Sequence, residues 1–160
     1  MRRLSPLRLG LSILLLGAAP ALAQQWSSAV VENGQRAGGL ITVDEKTLAI
    51  GCAEDTGSAL SFVLSGGPHA GMKNEDGVAD SLTMRISVSG SSAGEYPVDG
   101  FFVEAEGTFV GRLTASDRML RDFAQGSTLT LQSAGGEQVF SAPMRGTGAF
   151  RREMGAACGI

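Results

Sequence analysis

The side chains able to do chemistry are few, and a single histidine bounds most of it. His69 stands in Gly66-Gly67-Pro68-His69-Ala70-Gly71, with Ser65 before it and Glu75, Asp76 and Asp80 after it. A Ser-His-Asp triad is assembled in space rather than in sequence, so a hydrolase built around His69 is one reading. No G-x-S-x-G nucleophile motif accompanies it. A lone histidine in a polar loop is ordinarily solvated, and that is the expectation here.

The same loop holds Asn74, Asp76 and Asp80 around Gly77, which suggests an oxygen cage for calcium. Setting Gly77 on the turn glycine of an EF-hand loop puts Met72 at the first ligand position and Thr83 at the last. The last position needs a bidentate Glu, so a solvated acidic loop is the better account. Met72, Met84, Met119, Met144 and Met154 offer soft thioethers of the kind that hold Cu(I), but no M-x-x-M spacing gathers them. On apolar faces methionine fills core. No metal and no cofactor is expected.

Cys52 and Cys158 lie more than a hundred residues apart. A redox pair would be C-x-x-C, and a metal pair would need further ligands at short spacing. An even pair in an exported chain reads as a structural disulfide. Arg145, Arg151 and Arg152 gather near the C-terminus, where Arg151 and Arg152 are free to meet a carboxylate of a partner; the alternative is a solvated face. His69, Asp76, Asp80, Arg151 and Arg152 are therefore the candidate binding residues, with no catalytic residue assigned.

Export is read from the first 23 residues. Arg2, Arg3 and Arg8 precede the short apolar run Leu9 to Gly17, and Ala21-Leu22-Ala23 is a small-residue cleavage box. The run is far shorter than the roughly 20 residues a membrane-spanning helix needs. No cysteine comes after the box to take a lipid. Cleavage would leave residues 24–160 as a single periplasmic or secreted domain with no span. The leader carries three of the 13 Lys+Arg and none of the 16 Asp+Glu, so ten cations face sixteen acids in the mature chain, a net charge of −6. That balance argues against nucleic acid or an anionic membrane as partner.

The elements that must position these residues are mainly β. Leu48, Ile50 and Cys52 alternate with polar or small neighbours, as do Leu60, Phe62 and Leu64, then Leu82, Met84, Ile86 and Val88. Phe101, Val103 and Ala105 form a further such set, as do Phe109, Gly111 and Leu113, and then Leu129 and Leu131. Period-two patterning of this kind marks antiparallel strands solvated on one side. Asp99-Gly100, Glu106-Gly107 and Gly135-Gly136 suit tight turns, and Ser65 to Asp80 is a long polar loop. Ser116 can cap a helix that buries Met119, Leu120 and Phe123 and ends at Gly126. Thr147 can cap a second, with Phe150, Met154, Ala157 and Cys158 on its apolar face and Gly159 behind it. Six to nine strands predict an antiparallel β-sandwich or small barrel, with the C-terminal helix packed on the sheet and stapled to it by the cysteines. Trp26 is expected to pack the new N-terminus against the domain.

The C-terminal layout carries a resemblance. Leu129-Thr130-Leu131, the Gly135-Gly136 turn, Val139-Phe140, Met144-Arg145-Gly146-Thr147-Gly148-Ala149-Phe150 and Ala156-Ala157-Cys158 come in that order, with Leu48…Cys52 upstream. This arrangement resembles the type VI secretion-associated VasI family and, more distantly, the invasion-associated locus B proteins. The resemblance implies a β-sandwich-like periplasmic domain that works through contacts, with no catalytic residues to carry over. The expected function is a non-catalytic module binding an envelope protein. The alternatives are a small-ligand or ion binder using the 65–80 loop, and a hydrolase involving His69.

Overall fold

In the computed structural model the described residues are 24–31, 36–52, 58–89 and 91–160. The expected leader, residues 1–23, lies outside them. Strands account for most of the elements. The first four are β1 (Ser27–Val31), β2 (Arg36–Val43), β3 (Lys46–Cys52) and β4 (Ala59–Ser65). Then come β5 (Ala79–Val88), β6 (Ser91–Val103) and β7 (Thr108–Thr114). Helix α1 (Asp117–Gln125) precedes β8 (Thr128–Ser133) and β9 (Gln138–Pro143), and α2 (Thr147–Cys158) closes the chain. The strands form one antiparallel sheet in the order β1-β2-β3-β4-β7-β6-β5-β8-β9. It curls into a half-barrel with α2 packed on its first strands. Of the two architectures expected, the sheet is thus the barrel-like one, left open between its two edges.

The inward rows are those the alternation predicts. Leu48, Ile50, Cys52, Leu60, Phe62, Leu64, Leu82, Met84, Ile86, Phe109, Leu113, Leu129 and Leu131 are all buried. One strand reverses the expectation. Phe102 is buried and Phe101 is 44% exposed, because Val98, Gly100 and Phe102 share the inner face of β6. Asp99-Gly100 accordingly makes no turn; it lies inside β6, where Gly100 pairs with Gly111 on β7. A Cβ at Gly111 would stand 2.9 Å from the Phe109 ring, so the absence of side chains at this pair leaves room for that ring. The expected turns at Gly107 and Gly136 are present, both with positive φ.

Two helices and a three-residue 3-10 turn at Glu104–Glu106 complete the elements of the described residues. Ser116 caps α1 as expected, its Oγ accepting from the Met119 amide at 3.2 Å. Met119, Leu120 and Phe123 are buried. The start of α2 differs from expectation: Gly146, at φ 97°, occupies the cap position. Thr147 begins the helix, and its hydroxyl donates back to the Met144 carbonyl at 2.8 Å. Phe150 and Met154 face inward, and the Phe150 ring lies 2.8 Å from where a Cβ on Gly39 would be. Cys52 and Cys158 are joined by a disulfide with Cα atoms 6.0 Å apart, so the last helix is stapled to β3.

Trp26 is 3% exposed and seals the core from the N-terminal side. Its ring stacks on Phe150 at 6.0 Å and meets Phe123 edge-on at 5.2 Å. Its Nε1 donates to the Pro143 carbonyl at 3.1 Å and its amide to the Arg145 carbonyl at 2.9 Å. Across the open side of the sheet, Lys46 Nζ donates to the Val139 carbonyl of β9 at 2.8 Å. These contacts join the segments at the two edges where ladder bonds do not.

Candidate functional site

Topology separates the expected binding residues. The 65–80 segment joins the end of β4 to the start of β5, whereas α1 and α2 follow the opposite ends of β7 and β9. His69, Asp76 and Asp80 therefore lie at one end of the half-barrel, and Arg151 and Arg152 at the other. Both arginines are exposed on α2. No single surface unites the five.

His69 is not solvated, contrary to expectation. It is 1% exposed, with its ring edge-on to Phe102 at 5.9 Å. Its Nε2 lies 3.1 Å from the Leu64 carbonyl, which makes Nε2 the protonated nitrogen of the neutral ring. Nδ1 is buried with no hydrogen-bond partner. Burial lowers its pKa below 6.5, the bond to Leu64 works the other way, and the Lys46 charge lowers it further. A general base needs a proton donor within reach and an acid to orient it. The ring of His69 has a backbone carbonyl on one nitrogen and nothing on the other.

The polar side chains around it hold the loop together. Asn74 Oδ1 accepts from the His69 amide at 2.8 Å, and its Nδ2 donates to the carbonyls of His69 and Met72. Asp76 accepts from the Glu104 amide at 2.6 Å, tying the loop to the turn after β6. Asp80 accepts from the amides of Lys73 and Ser81, both at 2.8 Å. The carboxylates that suggested a cation cage are thus engaged with backbone donors. Among the described residues, no three His, Cys, Asp or Glu side chains gather as metal ligands do.

The outer face of the sheet holds the feature that sequence reasoning missed. Leu40 pairs with Ala49, Ala49 with Val63, and Val63 with Val110. Val110 pairs with Phe101, and Phe101 with Ala79. These six outward residues form an unbroken apolar row across β2, β3, β4, β7, β6 and β5. Leu40, at 46%, and Phe101, at 44%, are the exposed large hydrophobics of the described residues, and both belong to this row. A polar row runs beside it, with Ser61 opposite Arg112 and Arg112 opposite Asp99. On the other side Thr42 and Thr47 share a hydroxyl bond of 2.9 Å.

The face is also dented. Ala59 and Ser61 are small, and with Phe101, Val110, Arg112 and Asp99 they line a depression of about 570 Å³ over β4, β7 and β6. Asp99 and Arg112 stand across from each other on neighbouring strands but form no ion pair, unlike Arg85 and Glu95 on β5 and β6. The clue available in the sequence was Phe101-Phe102 itself. Adjacent aromatics on a strand point to opposite faces, so one of the two has to meet solvent or a partner.

No helix among the described residues is long and apolar enough to cross a membrane. Compared with known protein families, curated proteins and solved structures, the chain matches none.

Proposed function

We propose that this chain is an exported, non-catalytic module of a bacterial envelope, and that it binds a protein partner through the outer face of its sheet. The observation that carries the reading is the apolar row from Leu40 to Ala79. Scattered exposed hydrophobics are ordinary, whereas a contiguous apolar stripe with polar margins is the make-up of a contact surface. Covering what remains exposed of Leu40 and Phe101 is worth roughly 1 kcal/mol each, on a scale of about 1.5–3 kcal/mol for a whole side chain. The Cys52–Cys158 disulfide supports an oxidising compartment such as the periplasm. The ligand-binding reading of the 65–80 loop is less well supported, because Asp76 and Asp80 are engaged by backbone amides of the loop and its flanks.

The test is site-specific photo-crosslinking in the native envelope. A photoreactive amino acid replaces Phe101 or Leu40 in one set of cells and Arg152 in another. Discrete protein adducts at the two sheet positions, and none at Arg152, are the expected result. A folded, abundant protein that forms adducts at neither Phe101 nor Leu40 would refute the proposed face.

A further inference from the structure

From the pairing on this face we infer that the occupant is a second copy of the chain, bound sheet to sheet about a two-fold axis that runs between β6 and β7, parallel to both. The inference rests on the reading of the outer face as a binding surface and names its partner.

Register sets which residues would meet. Across β6 and β7, Asp99 faces Arg112 and Phe101 faces Val110. A two-fold axis between these strands exchanges the two members of every such pair. Each Arg112 then stands over the other copy's Asp99, and each Phe101 over the other copy's Val110. One strand further out, β4 lies on the side of β5 of the other copy, with Val63 in register with Ala79 and Ser61 with Ser81. Apolar row lies on apolar row and polar row on polar row, as an isologous contact requires.

Charge and shape agree. Asp99 and Arg112 are both exposed, and neither forms an ion pair among the described residues. With Asp99 and Arg112 paired across adjacent strands, one rotation about this axis forms two opposite-charge pairs. The knob and the hole are neighbours too. Phe101, 44% exposed, lines the depression together with Val110, Ala59 and Ser61. The same rotation seats each Phe101 in the other copy's depression. A protruding aromatic in a small-residue pocket is the usual anchor of an interface.

Analytical ultracentrifugation of the purified protein over a concentration series tests this. The expected result is a monomer–dimer equilibrium that F101D shifts at least tenfold toward monomer, with far-UV circular dichroism unchanged. D99R alone and R112D alone each place like charges in register and weaken the dimer. The double swap D99R/R112D restores opposite charges at both contacts and recovers it. A protein that stays monomeric at every concentration overturns the inference. So does a dimer indifferent to F101D, or a double swap no better than its weaker parent. A monomer that still crosslinks through Phe101 to a different envelope protein overturns the dimer and leaves the binding face standing; a monomer that crosslinks to nothing there removes both.

Discussion

Acid should loosen this domain through His69. The ring is 1% exposed, and its one hydrogen bond, to the Leu64 carbonyl at 3.1 Å, uses Nε2. A proton added at Nδ1 would sit where there is no acceptor, in a site that also feels the Lys46 charge. The folded-state pKa is therefore depressed below the ordinary 6.5, principally by burial. For a base depressed on folding, the native state prefers the neutral form. Its stabilising contribution is whole above pH 6.5 and drains away as pH falls from 6.5 toward the lower folded-state value. A single group can change stability by no more than about 1.4 kcal/mol per pH unit in that window. For a domain of this size that ceiling corresponds to about 5 °C of Tm per unit. The assay is thermal unfolding followed by circular dichroism between pH 7.5 and 5, comparing the wild type with H69F. The variant keeps a ring against Phe102 but cannot titrate; its Tm is lower at neutral pH, because the Leu64 carbonyl loses its donor. The gap between the two proteins should narrow as pH falls through 6.5. Curves that run parallel over the whole range would show that His69 binds its proton equally in both states, and would refute the reasoning.

Two more predictions concern the links between sheet and helices. The disulfide closes a loop with a sequence separation of 106, for which the chain-entropy model gives about 4–5 kcal/mol. C52A and C158A should each lower stability strongly in urea titration, and the double variant by about as much as either; additive losses would contradict a shared bond. Tyr96 donates to Asp122 Oδ2 at 2.5 Å, linking β6 to α1. Its pKa is pushed up to about 12, first by burial and then by that carboxylate. The stability this provides is whole below pH 10 and is lost as pH rises from 10 toward 12. Y96F should lose about 1 kcal/mol or more at neutral pH and unfold less steeply with alkali. Equal alkaline sensitivity would exclude Tyr96 as the titrating group.

The inner faces of the strands were legible in the sequence because solvent imposes a period of two on any half-buried strand. The cysteine pairing was legible from the expected compartment and from parity, and α1 from Ser116, Gly126 and one apolar stripe. Phe101 was misassigned because the run Phe101-Phe102-Val103 is apolar at both parities, so alternation alone does not choose the inward face. Asp99-Gly100 has the composition of a turn, yet Gly100 is required by the neighbouring Phe109 ring, which only the strand pairing brings near. His69 illustrates a different limit. Its burial is set by the Phe102 ring and the Leu64 carbonyl, groups that come together only after β4 and β6 take their places in the sheet. The outer apolar row is likewise a property of register: its six residues come from six strands that are not in chain order.

The closure at Trp26 has a bearing on timing. Its indole is hydrogen-bonded to Pro143, a sequence separation of 117, and its ring stacks on Phe150. A chain synthesised from its N-terminus delivers Trp26 long before Phe150. Until α2 arrives, Gly39 has no ring above it and Cys52 has no thiol to join. Local hairpins such as β2–β3 can form during that interval, but the core cannot be sealed. The core is therefore closed in one late step, which needs both distant parts of the chain at once.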